Sequence, residues 1–218
     1  MSRIKYKGRL VLAVATLTVG AGVAVVVGQF AGASEPGKTI SSIADADAAQ
    51  IALVESTFST ALTADRTVDA PPAATYGQAA SAAIAAGQPA PAVADSVRQQ
   101  QLRTGISTLA KYFTPAQAAH ESIGLRNAIS EETDPRIRNI GMGVSGVKFV
   151  HVSVKGTTAT LEADVTIWAK SQMLQPNGKW LTANPVNVMD YTATLEQNQT
   201  GQWLVSSLVG DFVPGEGP

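Results

Sequence analysis

The chain has 218 residues, 45% of them apolar, no cysteine and a formal net charge of −1. That length supports a domain with its own core, and the composition excludes wholesale disorder. The lack of cysteine excludes a disulfide framework, thiolate metal sites, a cysteine nucleophile and lipid attachment through an N-terminal Cys.

Charge is unevenly placed. Arg3, Lys5, Lys7 and Arg9 stand at the N-terminus with no acid among them, which leaves 12 basic and 17 acidic residues, a net of −5, in the rest. A domain of that sign lacks the clustered cations that nucleic acid requires, and anionic lipid headgroups repel it. Residues 1–9 read as a basic cytoplasmic start. Residues 10–28 follow as an uncharged stretch, of which Leu10 to Val27 is LVLAVATLTVGAGVAVVV. As a helix it would be about 27 Å long, close to the thickness of bilayer hydrocarbon. The cations before it set the orientation, with everything from about Gln29 onward outside the cytoplasm. Two readings stay open: an uncleaved signal anchor, or a signal peptide cleaved after Ala33, because Ala31-Gly32-Ala33 before Ser34 is an A-x-A site. The length of the apolar run favours the anchor. A buried core helix is disfavoured, since such helices rarely lack a polar face or follow a basic cluster.

Residues 29–40 read as a spacer, and 41–213 as an extracytoplasmic α+β domain. A helix is expected from Ser41 or Ser42, either of which suits an N-cap, with Asp45 and Asp47 in the first turn. Asp47, Ile51, Val54, Phe58 and Leu62 recur at helical spacing, and the last four form an apolar stripe. Residues 67–95 are rich in Ala, Pro and Gly. Pro71, Pro72, Pro89 and Pro91 interrupt any long helix there, and Gln78 to Ala86 suits a short one. We read this stretch as a poorly packed excursion within the domain, with a flexible linker as the alternative. Leu102, Ile106, Leu109 and Phe113 predict a second strong helix. Thr114-Pro115-Ala116-Gln117 then has the residues of a capping box with Pro at the first helical position. It starts a helix through Ala119, Ile123, Arg126 and Ile129 that must end before Pro135.

From Gly143 the period changes to two. Val144 to Lys155 reads as a strand, Lys155-Gly156-Thr157 as a turn, and Thr158 to Ala169 as a clean alternation. Ala159, Leu161, Ala163, Val165, Ile167 and Ala169 share one face; Thr160, Glu162, Asp164, Thr166 and Trp168 share the other. Pro176-Asn177-Gly178-Lys179 is a hairpin turn, Val186 to Glu196 a third long strand, Asn198 to Gly201 a turn and Trp203 to Val209 a fourth strand. Residues 214–218 read as a disordered tail. Helices first and consecutive strands after predict α+β: an N-terminal transmembrane helix, then helices packed on a curved antiparallel sheet of about four strands. The small inward residues Ala159, Ala163 and Ala169 suit a strongly curved, cone-like sheet wrapped around a helix.

Tyr191-Thr192-Ala193-Thr194-Leu195-Glu196, a Gly-containing turn, and Gln202-Trp203-Leu204-Val205-Ser206-Ser207-Leu208 resemble the closing hairpin of actinobacterial Mce-associated membrane proteins. The whole layout resembles the nuclear-transport-factor-2-like, cystatin-like cone. The resemblance covers about residues 1–66 and 97–213, and the 67–95 stretch departs from it. It implies a short cytoplasmic start, one span and an envelope domain that assists transport and carries out no reaction of its own. The inner-membrane scaffold component of type IV secretion and conjugation machines shares this layout.

The chain offers little chemistry. Neither His120 nor His151 has metal-ligand spacing around it, and each reads as structural. Gly141-Met142-Gly143-Val144-Ser145-Gly146 spells G-x-G-x-x-G but leads into a strand, where a dinucleotide motif must open a helix. Asp164, Asp190 and Asp211 are acid–base candidates by type only. Asp164 sits on the polar face of its strand, and Asp190 points away from Tyr191. We therefore expect no catalytic, cofactor-binding or metal-ligating residues. Trp168, alone among polar neighbours, is the candidate interface anchor, with packing against a helix or the 67–95 stretch as the plainer reading. The expected role is a membrane-anchored interaction module with envelope protein partners. A cone that binds a small molecule or lipid comes second, and a cone-fold isomerase-type enzyme third.

Overall fold

A computed structural model describes residues 40–213, with side chains from Asp47 onward. The segments read above as cytoplasmic start, span or signal peptide, and tail lie outside the described residues, as does all of the spacer but Ile40. Among the described residues no helix is long and apolar enough to cross a membrane.

Among the described residues, four α-helices precede five strands. Helix α1 spans Ile40–Val68, a 3-10 turn Ala73–Tyr76, α2 Gly77–Ala85, α3 Asp95–Tyr112 and α4 Pro115–Glu131. Strands β1 to β5 are Ile137–Lys155, Thr158–Leu174, Trp180–Ala183, Val186–Gln197 and Trp203–Phe212. The protein is α+β, and its sheet is antiparallel in the order β1-β2-β4-β5, with β3 paired to β2. Gly156, Gly178 and Gly201 turn the chain at the three predicted places, and each has a positive φ that other residues adopt at a cost.

The sheet has five strands where about four were expected. Both β3 and β4 pair antiparallel with β2, along successive stretches of one edge. Asn184 and Pro185 separate them, and a proline cannot donate to the ladder. The Pro185 carbonyl still accepts from Ala169 N at 3.0 Å, so pairing resumes at once. Strand β1 is longer than the sequence suggested and begins at Ile137. Its register shifts three times, leaving Ile140, Ser145 and Val150 as extra residues. Bulges of this kind bend a strand and blunt an exposed edge.

The core is the contact between α1 and the concave sheet face. Val54, Phe58 and Leu62 are fully buried, as the stripe predicted, together with Leu161, Val165, Leu195 and Val205. Each such side chain contributes about 1.5–3 kcal/mol by leaving water. Phe58 meets Phe149 and Tyr191 edge to face at centroid separations of 5.9 and 6.4 Å. The small side chains of Ala159, Ala163 and Ala193, all buried, let the sheet close on these rings. On α3, the buried Gly105 lies where a β-carbon would stand 2.5 Å from Leu125 Cδ2 and 3.4 Å from Val68 Cβ, so α1, α3 and α4 converge there.

Three local expectations need correction. Ser41 and Ser42 lie inside α1, and Asp45 and Asp47 fall beyond its first turn. Thr114 occupies the N-cap of α4 with Pro115 next to it, but its side chain makes no capping bond. Gln117 Nε2 instead donates to Glu121 Oε1 at 2.5 Å, while Thr114 N donates to Val205 O at 2.9 Å and ties the helix start to β5. The buried stripe of α4 is Ala118, Ser122 and Leu125; Ile123 faces outward.

The 67–95 stretch is docked. Ala70, Tyr76, Ile84, Ala90 and Val93 are buried, and Tyr76, Ile84 and Ala90 form a second small core with Ile140. Gln172, fully buried on β2, accepts from Ala90 N at 2.7 Å and donates to Gln88 O at 2.9 Å. Tyr76 Oη donates to Asn139 O at 2.7 Å, and the Arg138 guanidinium lies 5.2 Å from the Trp180 ring centroid. Prolines here set the chain path without loosening it.

Candidate functional site

The concave face holds buried polar groups beside its apolar core. Asp65 on α1 and Asp69 just past its end are both buried, with Arg66 between them in sequence. Arg66 donates through Nη2 to the hydroxyl of Tyr191 on β4, and its Nε lies 4.0 Å from Asp65 Oδ2. Burial weakens the Arg66 charge, but Tyr191 and Asp65 outweigh that and hold its pKa above the ordinary value. Tyr191 is raised by burial, which Arg66 only partly offsets, so the phenol stays protonated and can donate to Met189 Sδ at 3.8 Å. Across β5, Gly210 admits the Tyr191 ring, since a β-carbon there would stand 2.5 Å from Cε1. Tyr191 packs edge to face against Phe58, and Asp65, Asp69 and Tyr191 are all buried.

A second buried cluster joins the helices. Gln101 on α3 donates through Nε2 to Val68 O at 3.2 Å and to Glu132 Oε1 at 3.4 Å. Burial pushes the Glu132 carboxyl up to about 7, against the smaller downward pull of the Gln101 bond and Arg98. Glu132 Oε2 and Gln101 Oε1 make no hydrogen bond among the described residues. Tyr76 nearby is raised to about 12, first by burial and then by the Glu132 charge. Gln101 and Glu132 are also buried.

A groove of about 550 Å³ lies between α1 and α3, lined by Ser59, Thr63, Thr67, Val68, Thr108 and Tyr112, among others. The hydroxyls of Thr63 and Thr67 donate to the carbonyls of Ser59 and Thr63 one turn back, so the groove presents mainly methyl groups.

The acid–base candidates fall on the opposite, convex face. Cross-strand pairing puts Lys148 beside Asp164, Asp164 beside Asp190 and Asp190 beside Asp211 in one row across four strands. Lys148 Nζ reaches Asp164 Oδ2 at 3.1 Å. His151 lies on the same face opposite Glu162, and His120 is on the exposed side of α4. No three His, Cys, Asp or Glu residues converge into a metal-binding group among the described residues. The glycine motif lies within β1 and opens no helix.

Trp168 lies on this convex face, opposite Gly143 on β1 and Val186 on β4. A β-carbon on Gly143 would stand 2.9 Å from Trp168 Nε1, and one on Gly141 would stand 3.2 Å from its six-membered ring. The indole thus lies over a strip of bare backbone, packed on one side and 37% exposed overall. Val186 beside it is 60% exposed. Sequence reasoning missed Asp65, Arg66, Asp69, Gln101, Glu132 and Gln172. The one signal available was that Asp65 and Asp69 continue the helical spacing of Phe58 and Leu62.

No protein-family model and no curated protein matches the chain. Solved structures give partial likenesses. The intermembrane space region of the chloroplast protein ARC6 is 15% identical, with a TM-score of 0.37, over 50% of this chain and 78% of that one. A dehydratase candidate of the NTF2-like family from Streptomyces avermitilis is 17% identical, with a TM-score of 0.35, over 51% and 86%. A periplasmic fragment of TraM is 8% identical, with a TM-score of 0.37, over 78% and 98%.

Proposed function

We propose that the chain is a membrane-anchored, extracytoplasmic interaction module without a reaction of its own, accessory to a cell-envelope transport (Mce-like) or secretion complex. The observation that carries this is the contrast between the two sheet faces. Aromatic and aliphatic side chains fill the concave face where a cone-fold enzyme would keep its pocket, while the convex face leaves Trp168, Val186 and Val209 exposed. Exposed apolar side chains on an otherwise polar sheet suit protein contact. The basic start and the apolar run at 10–28 supply the tether; cleavage after Ala33 would release the same module.

The reading is tested in intact cells. Membrane fractions washed at alkaline pH should retain the full-length chain, and protease added outside the cytoplasmic membrane should digest the domain. A chain found in the soluble cytosolic fraction, protected from that protease, refutes the tether. Among the described residues the α1/α3 groove is what supports a small-molecule or lipid-binding role, and saturable binding of a fatty-acid probe lost in Thr63→Trp would favour it.

A further inference from the structure

The convex face combines two features that favour different sorts of neighbour. The first is the row of Asp164, Asp190 and Asp211 in direct cross-strand register. Directly opposed like charges destabilise a sheet, and strands normally avoid them. Among the described residues, Lys148 is the cation paired with this row, through Asp164 alone. Asp190 and Asp211 are exposed. The second feature is the apolar patch of Trp168 and Val186, both exposed, with Val188 one step further along β4 toward Asp190. Strand spacing makes the acidic row about 10 Å across, and the strand rise sets the patch about 13 Å from it along β2.

We propose that this convex face is where the module holds its partner, and that the partner presents Lys or Arg side chains beside an apolar one. The proposal rests on the interaction-module reading. Cations reaching Asp190 and Asp211 relieve the repulsion that the isolated sheet carries, while an apolar side chain covers the open flank of the Trp168 indole. The charge argues against a second copy as the occupant. By register this face carries Glu162 and Glu196 alongside Asp164, Asp190 and Asp211, against the lysines Lys148, Lys155 and Lys170, which stand well apart along β1 and β2, so the face is net acidic and offers a twin no basic cluster. Anionic lipid is disfavoured for the same reason.

The test is photo-crosslinking in the full-length chain in its own membrane, with the photoreactive amino acid at Thr192 on the convex face or at Ile123 on the outer side of α4. The expected adduct forms from Thr192, and the captured peptide, once sequenced, carries Lys or Arg next to an apolar residue. Asp190→Lys with Asp211→Lys should lower the adduct yield about tenfold or more, since it sets like charges against the partner. The same double variant should melt no lower than the wild type, because it turns the Asp164–Asp190 repulsion into an attraction and only exchanges the Asp190–Asp211 repulsion for one between two lysines; this separates lost binding from lost folding. Trp168→Ala should lower the yield as well. Adducts from Ile123 and none from Thr192 would overturn this surface and leave the module reading intact; adducts from neither position would overturn both. A captured peptide that is acidic, that comes from a second copy, or whose yield ignores the double variant would also overturn the proposal.

Discussion

Glu132 gives the sharpest quantitative test of the packing. Its carboxyl is 5% exposed, sits just after α4 and receives one long hydrogen bond, 3.4 Å from Gln101. Burial raises it to about 7 from an ordinary value of 4.5. A folded-state pKa above the unfolded value means that the native state binds the proton more tightly. The stability this confers is complete below about pH 4.5 and is lost as pH rises through about 7. The shift corresponds to about 3 kcal/mol between those limits. Glu132→Gln keeps the shape, removes the titration and supplies an amide N–H that Gln101 Oε1 can accept. The variant should match the wild type at pH 5 and exceed it by about 2 kcal/mol at pH 8. Urea unfolding of both full chains in mild detergent, at several values between pH 5 and 8, measures the difference, in which every other titrating group cancels. A difference that stays flat with pH, or a variant weaker than the wild type at pH 8, would refute the assignment of a neutral, buried carboxyl.

Three further outcomes test the remaining contacts. Tyr191→Phe takes away the hydroxyl that meets Arg66 and leaves a guanidinium N–H without that partner in the core; thermal unfolding should show a loss of about 1–3 kcal/mol. Gly210→Ala would ordinarily favour a strand, but its β-carbon would meet the Tyr191 ring at 2.5 Å, so overpacking should cost about 1–3 kcal/mol in the same assay. Gln172→Ala strips Ala90 N and Gln88 O of their partner, and hydrogen exchange should show lost protection at Ala90 while the centre of β2 keeps its own.

The parts of the fold legible in sequence are those whose signal is local. Alternation along β2 picks out Ala159 to Ile167 as the buried set, and four-residue spacing picks out Val54, Phe58 and Leu62. Strand β3 escaped notice because Trp180 to Ala183 is too short to display a period and Pro185 cuts it from β4. On α4, the small residues Ala118 and Ser122 face the core beside Leu125 while Ile123 is exposed, a face that large apolar residues alone do not reveal. The 67–95 stretch looked loose because its anchors, Arg138 and Gln172, lie far along the chain and are polar. Trp168 stood out as an apolar residue on a polar face, but its support is Gly141 and Gly143, two residues whose contribution is the absence of a side chain.

The sequence by itself determined the main helices and long strands, the turns and the sheet face that turns inward, because each follows from spacing along a few consecutive residues. It also carries the basic start and the apolar run that motivate the envelope reading. Only the tertiary structure decided that the concave face is filled, that Arg66 meets Tyr191 from 125 positions away, and that Asp164, Asp190 and Asp211 stand in one row. Those outcomes depend on strand register and helix approach, which are set by how separate segments fit together, and no local pattern encodes that fit.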